Sequence, residues 1–301
     1  MALLAAGCSG EPAGPAGDEA AATAHSFGLL TLRIAPQPGN EPAEPAAGTS
    51  LELSATAHLA RYRALDPDQV ARLLALPLDP QRELPALDEC GWFDPTRDAD
   101  EEDVAHDDEG EIDLLEAGDI RIVAPARSLA LRPRSFAGLL PFVSGTVYQE
   151  AQINVAAGFE QPIEIGAAGG ATVGGFGLRV LLPALPAVGV AAPVAATSAG
   201  GGAASGAALE LRWTVARAAA ETMYLELQGT ERPAGPVLRC NVDDVGRFAV
   251  PRRLLDALDP MDTGSVLLEA VRLRRTPFHA RGLGEAEVRV IASERQRLAT
   301  H

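Results

Sequence analysis

The stretch Leu209-Glu-Leu-Arg-Trp-Thr-Val215 alternates apolar and polar residues without a break, and the segments after it repeat the pattern. Met223, Leu225 and Leu227 alternate next, then Leu238, Cys240 and Val242, a turn at Asp243-Asp244-Val245-Gly246, and Phe248 with Val250. Period-two alternation bounded by turn residues is the pattern of half-buried β-strands. Longer strands are expected at 265–275 and 285–293, with a turn or two of helix over 251–258. With one more strand at 188–191, the C-terminal region has seven strands, enough for a two-layered sandwich.

The same reading works toward the N-terminus. Residues 27–34 and 50–62 alternate: Leu51, Leu53, Ala55, Ala57 and Leu59 share one face, and Glu52, Ser54, Thr56 and His58 the other. Asp66-Pro67 opens a short helix, with Asp66 as N-cap and Pro67 at the first helical position. Residues 80–111 read as one long polar loop. Ile112–Leu115 and Ile120–Val123 read as two strands of a hairpin, and further strands are expected near 128–131, 145–149, 163–165 and 177–182. The expected fold is all-β. It has a β-rich domain over 27–183, a linker over 184–208, and a sandwich over 209–298 that takes in the strand near 188. The uncharged run before Leu209 is broken by Pro183, Pro186, Pro193 and Gly200–Gly202, which favours a linker over a transmembrane helix.

Composition narrows the chemistry. All 25 basic residues of this 301-residue chain are Arg, so lysine-dependent phosphate binding and Schiff-base chemistry are excluded. A net charge of −16 argues against nucleic acid as partner. Twelve carboxylates and no Arg lie between Asp98 and Asp119, and the rest of the chain is close to neutral. Calcium takes several oxygen ligands from a flexible loop. Asp98, Asp100, Asp103, Asp107, Asp108, Glu109, Glu111 and Asp113 could supply them; a solvated acidic loop is the alternative, and the spacing is not that of an EF-hand. The five histidines are scattered: His25 in the N-terminal stretch, His58 on a polar strand face, His106 in the acidic loop, His279 in a turn and His301 at the end. No nucleophile elbow or zinc motif accompanies them, and no catalytic residue is assigned. The glycines between Gly166 and Gly177 lead into a strand, so they read as strand-edge or bulge glycines, not a dinucleotide loop.

The N-terminal Met-Ala-Leu-Leu-Ala-Ala-Gly-Cys8-Ser9 resembles the lipobox of bacterial lipoproteins, with the small residues Ala6 and Gly7 before the cysteine. Ala5 stands where that family usually has Leu, and the apolar region is short, with no basic residue before it. The resemblance implies a signal remnant over 1–7, lipidation of Cys8 and, with Ser9 following, an outer-membrane or cell-surface location, facing the periplasm or the exterior. Residues 8–26 are rich in Gly, Pro and Ala and read as a tether. In an oxidising compartment Cys90 and Cys240 are then a candidate disulfide. The seven C-terminal strands match the number in an immunoglobulin or fibronectin-III type sandwich, and Trp213 on an early strand, after a Pro-rich entry, resembles the core Trp of fibronectin-III domains. Together these imply a non-enzymatic envelope protein that binds a protein or glycan ligand; a structural spacer is the alternative, and a hydrolase with dispersed residues a third.

Overall fold

The computed structural model describes residues 23–37, 50–94, 110–124, 127–136, 142–156, 162–191, 209–216, 222–230, 235–258 and 265–299. The protein is all-β with a few short helices, and its strands form sandwich-like layers around two main cores.

The first core forms around the hairpin of β1 (His25–Pro36) and β2 (Ser50–Arg63). Their register sets Leu30 against Ala57, Leu32 against Ala55 and Ile34 against Leu53, so the alternating apolar residues share one face. Above that face lies a four-stranded sheet in the order β11 (Gly174–Val180), β10 (Ile163–Gly169), β5 (Ile120–Ala124), β6 (Arg127–Leu131). Ile120, Ile122, Leu131, Ile163 and Ile165 come down from it and are fully buried against Leu32, Leu53 and Leu59.

The expected hairpin over 112–123 does not form. β4 (Glu111–Leu114) pairs with β2, whereas β5 pairs with β10 and β6, so the two strands belong to different sheets. The intervening residues carry the chain from one layer to the other. The Leu115 N–H donates to the Leu59 carbonyl. The Ala117 N–H donates to the Tyr148 hydroxyl, which donates in turn to the Gly118 carbonyl. Gly118 turns the corner at a φ of 71°, a conformation that favours glycine. Three strands extend this half further. β9 (Ala151–Ala156) pairs with β2, β8 (Val143–Tyr148) runs parallel to β4, and β7 (Pro133–Ser135) pairs with β8.

The second core lies between a three-stranded sheet, β12 (Val188–Val190), β13 (Leu209–Trp213) and β16 (Arg247–Val250), and a longer run, β15 (Val237–Val242), β14 (Thr222–Gly229), β17 (Ser265–Pro277) and β18 (Glu285–Ala299). These are the seven strands expected from the alternation. In the immunoglobulin constant arrangement the fourth strand pairs with the fifth. Here the fourth, β15, pairs with the third, β14, dividing the strands three and four in the fibronectin-III-like manner. Trp213 lies in this core among Leu211, Leu225, Leu238 and Leu268.

The two halves were expected as a β-rich domain and a sandwich joined by a linker over 184–208. They have separate cores but share one sheet. β1 pairs in parallel with β18, from Phe27 opposite Glu285 to Ile34 opposite Ala292. Val288 and Val290 of β18 face the first core, and Leu298 near its end faces the second. Fifteen residues of strand span about 50 Å, enough to serve both. The described part of the linker is bound down: the Arg272 guanidinium donates to the Ala184 and Leu185 carbonyls, and the Gln296 amide to the Val188 carbonyl. Residues 192–208 lie outside the described residues.

Residues 64–93 add a second connection, which the reading of 80–111 as one loop missed. They include α1 (Pro67–Leu73), α2 (Pro80–Glu83) and β3 (Cys90–Phe93). Asp66 caps α1 in a full capping box with Gln69, and Asp79 caps the single turn of α2. β3 pairs with β15 at the far edge of the shared sheet. On the way the strap covers the outer face of that sheet. Leu78 and Leu84 pack on Tyr224, Val271, Leu273 and Ile291, while the buried Arg289 donates to the Pro77 and Leu78 carbonyls.

Arg272 is fully buried and ties the linker to the second half. Besides the linker carbonyls it donates to the Thr214 carbonyl and to both carboxylate oxygens of Asp244, at 3.0 and 3.1 Å. Asp244 also accepts from the Trp213 indole N–H at 2.7 Å and the Ala216 N–H at 3.1 Å. Burial pushes the Asp244 carboxyl up, but the hydrogen bonds from Arg272, Trp213 and Ala216 and the guanidinium charge outweigh it and hold it below the ordinary range. A lowered carboxyl stabilises the fold above its unfolded pKa, and that stability is lost as pH falls through the folded value. Asp244→Asn leaves the Arg272 charge buried without its counter-ion and is expected to cost about 3 kcal/mol at neutral pH. In urea melts, wild type and variant should converge as pH falls below the carboxylate range. A constant gap across that range would contradict the assignment.

Candidate functional site

The cysteines give the clearest result. Cys90 and Cys240, 150 residues apart, sit opposite each other on β3 and β15 and are joined in a disulfide. Cys240 is fully buried in the second core and Cys90 is half-buried at its edge. The bond fastens the end of the strap to the second sandwich. Beside it, Arg239 places its guanidinium 3.8 Å from the centre of the Phe93 ring and pairs with Glu226 and Glu83. Cys8 lies outside the described residues.

Of the candidate calcium ligands, Asp98, Asp100, Asp103, Asp107, Asp108 and Glu109 lie outside the described residues. Glu111 and Asp113 are two apart on β4, opposite Arg63 and Arg61, and Asp113 accepts a hydrogen bond from the Ser144 hydroxyl. Among the described residues no three metal-ligating side chains converge, and no helix is long and apolar enough to cross a membrane.

The described histidines lie on different elements. His25 begins β1 and stacks on Tyr62 with ring centres 5.5 Å apart. His58 is on β2, where burial lowers its pKa, and His279 is in the turn between β17 and β18. His106 and His301 lie outside the described residues. A carboxyl with a shifted pKa is found elsewhere: burial pushes Glu294 of β18 up, and it has no ion-pair partner among the described residues.

An open trough of about 720 Å³ lies on the outer face of the four-stranded sheet, and the sequence reading missed it. Its shape follows from register. Gly177 of β11 is opposite Gly166 of β10, and Gly166 is opposite Arg121 of β5. Two adjacent positions without side chains thus form a channel from the outer edge of β11 to Arg121. One wall is the Arg179–Glu164 ion pair at 2.6 Å together with Val123, and the other includes Asp119 and Ala168. Arg121 is exposed and has no partner among the described residues. These glycines were read as edge or bulge glycines. β11 is an edge strand, but its register with β10 runs through without a bulge, and the glycines shape a surface. The available signal was the alternation of Gly166 and Gly177 with Ile165, Phe176 and Leu178, which puts both glycines on the face away from the core.

No family model matches the chain, and no curated protein matches it.

Proposed function

We propose that the chain is an exported, lipid-anchored protein of the bacterial cell envelope, held at the outer membrane or cell surface through Cys8, where it binds a protein or glycan ligand without catalysing a reaction. The Cys90–Cys240 disulfide carries the reading. Such bonds persist in oxidising compartments. It uses two of the three cysteines and leaves the lipobox-like Cys8 as the remaining thiol. A diacylglycerol plus an amide-linked acyl chain at that position would anchor the protein stably. The trough on the four-stranded sheet offers a recognition surface. A second reading, a rigid spacer, is favoured by the sheet that runs through both cores. Cross-linking the protein in native envelopes, with mass spectrometry of the adducts, separates the two: a recurrent partner supports binding, and adducts to bulk envelope components alone support the spacer.

The anchor is tested by metabolic labelling with a lipid precursor, with the chain expressed from an upstream start. Wild type should take up label and Cys8→Ser should not, while both keep the disulfide, seen as two further alkylatable thiols after reduction. Label in neither, or Cys90 and Cys240 alkylated before reduction, would contradict the export reading.

Calcium at the acidic segment belongs to the same proposal, because extracellular modules often use such ions. Thermal melts with millimolar calcium and with chelator should then differ by several degrees; superimposed melts would remove the ion from the account.

A further inference from the structure

We propose that the outer edge of β11 docks an extended acidic segment of a partner protein, which adds as a fifth strand and sends one carboxylate along the glycine channel to Arg121. This gives the binding reading its surface and rests on that reading. An unpaired strand edge presents main-chain donors and acceptors that a strand of any sequence can satisfy. Among the described residues β11 has no partner on that side. Its seven residues make it longer than the other edge strands β3, β6, β7, β9, β12 and β16.

Exposed edges are ordinarily guarded by proline, a bulge or charge. β11 has no proline and no bulge, and its one charge, Arg179, is engaged by Glu164. One end is closed where the Gly174 N–H donates to the Arg281 carbonyl; the rest, Gly175 to Val180, has no main-chain partner on that side among the described residues. On the core side Phe176 and Leu178 are half-buried, and Leu181 beyond them is half-exposed. Apolar residues on one face of an added strand would cover these flanks.

The other face sets the charge preference. A residue of the added strand opposite Gly177 looks down the row Gly177, Gly166, Arg121 with no side chain between. Strands are spaced about 4.8 Å apart, so the added strand lies about 14 Å from β5. An Arg and a Glu side chain extended toward each other cover that span. A carboxylate there meets a guanidinium that forms no ion pair among the described residues, between a wall of Val123 with the Arg179–Glu164 pair and a wall that includes Asp119 and Ala168.

The probe is a blocked, fluorescent heptapeptide Val-Thr-Val-Glu-Val-Thr-Val, compared with the same peptide carrying Gln at its centre. Binding to the full chain in its oxidised Cys8→Ser form is read by fluorescence anisotropy. Lipidation therefore has no bearing on the result, and the envelope cross-linking tests the binding reading separately. The Glu peptide should bind about fivefold tighter than the Gln peptide. Arg121→Gln should abolish the difference, and Gly177→Val should weaken both peptides. A Cβ at Gly177 meets no atom within 4 Å, so that variant fills the channel without disturbing the fold, which an unchanged melt checks. Equal affinity for both peptides, no binding of either, or a preference that survives Arg121→Gln would overturn the proposal. So would concentration-dependent dimerisation that Gly177→Val abolishes, since it would place a second copy of the chain at this edge.

Discussion

The structure depends on the pairing of β1 with β18. Eight residue pairs run from Phe27–Glu285 to Ile34–Ala292 and join segments at opposite ends of the chain. Without this pairing there would be two sandwiches on a string. With it, β18 is the central strand of a sheet that forms a wall of both cores, and the first core is completed by Val288 and Val290 from the second half. Arg272 reinforces the junction where the apolar faces give way: its charge is accepted by Asp244 and by carbonyls from the linker and from β13's exit. A buried guanidinium is tolerated only when its donors are satisfied, and here those partners come from the linker and from the second half.

The strap over residues 64–93 acts on the same junction from outside. It leaves the first half at the end of β2, crosses the outer face of the shared sheet and finishes on β15, where the disulfide fastens it. Closing a loop of 150 residues removes much of the freedom of the unfolded chain, an effect of about 4 kcal/mol or more in the chain-entropy model. The aromatic-poor cores give that bond weight: they are built from Leu, Val, Ile and Ala, with Trp213 and Phe278 among the few large side chains.

Much of this was legible in the residues. Where apolar and polar residues alternate over five or more positions, as in 50–62 or 209–213, a strand formed with the expected face inward, although Val215 at the end of the second run lies beyond β13 and is exposed. The Asp66 cap also formed as its side chain requires. What was not legible was which strand pairs with which. Ile112–Leu115 and Ile120–Val123 have hairpin-like spacing, but Tyr148, distant in sequence, holds the connection as a crossover between layers. The four residues of β3 are too few to show a period, and their pairing is set by β15 and Cys240. The trough was hidden for a related reason. Gly166 and Gly177 say only that side chains are absent; that the two absences line up with Arg121 is a fact of register.

The central claim is that one sheet makes the two cores a single cooperative unit. Their compositions allow each to be followed alone. Ile34, Ile120, Ile122, Ile163 and Ile165 all lie in the first core, and Trp213 lies in the second. Urea unfolding of the oxidised chain, followed by isoleucine methyl NMR and by tryptophan fluorescence with Trp92 replaced by Phe, reads both in one experiment. Coincident midpoints and slopes are the predicted result. Two separated transitions, with one core surviving the loss of the other, would contradict it.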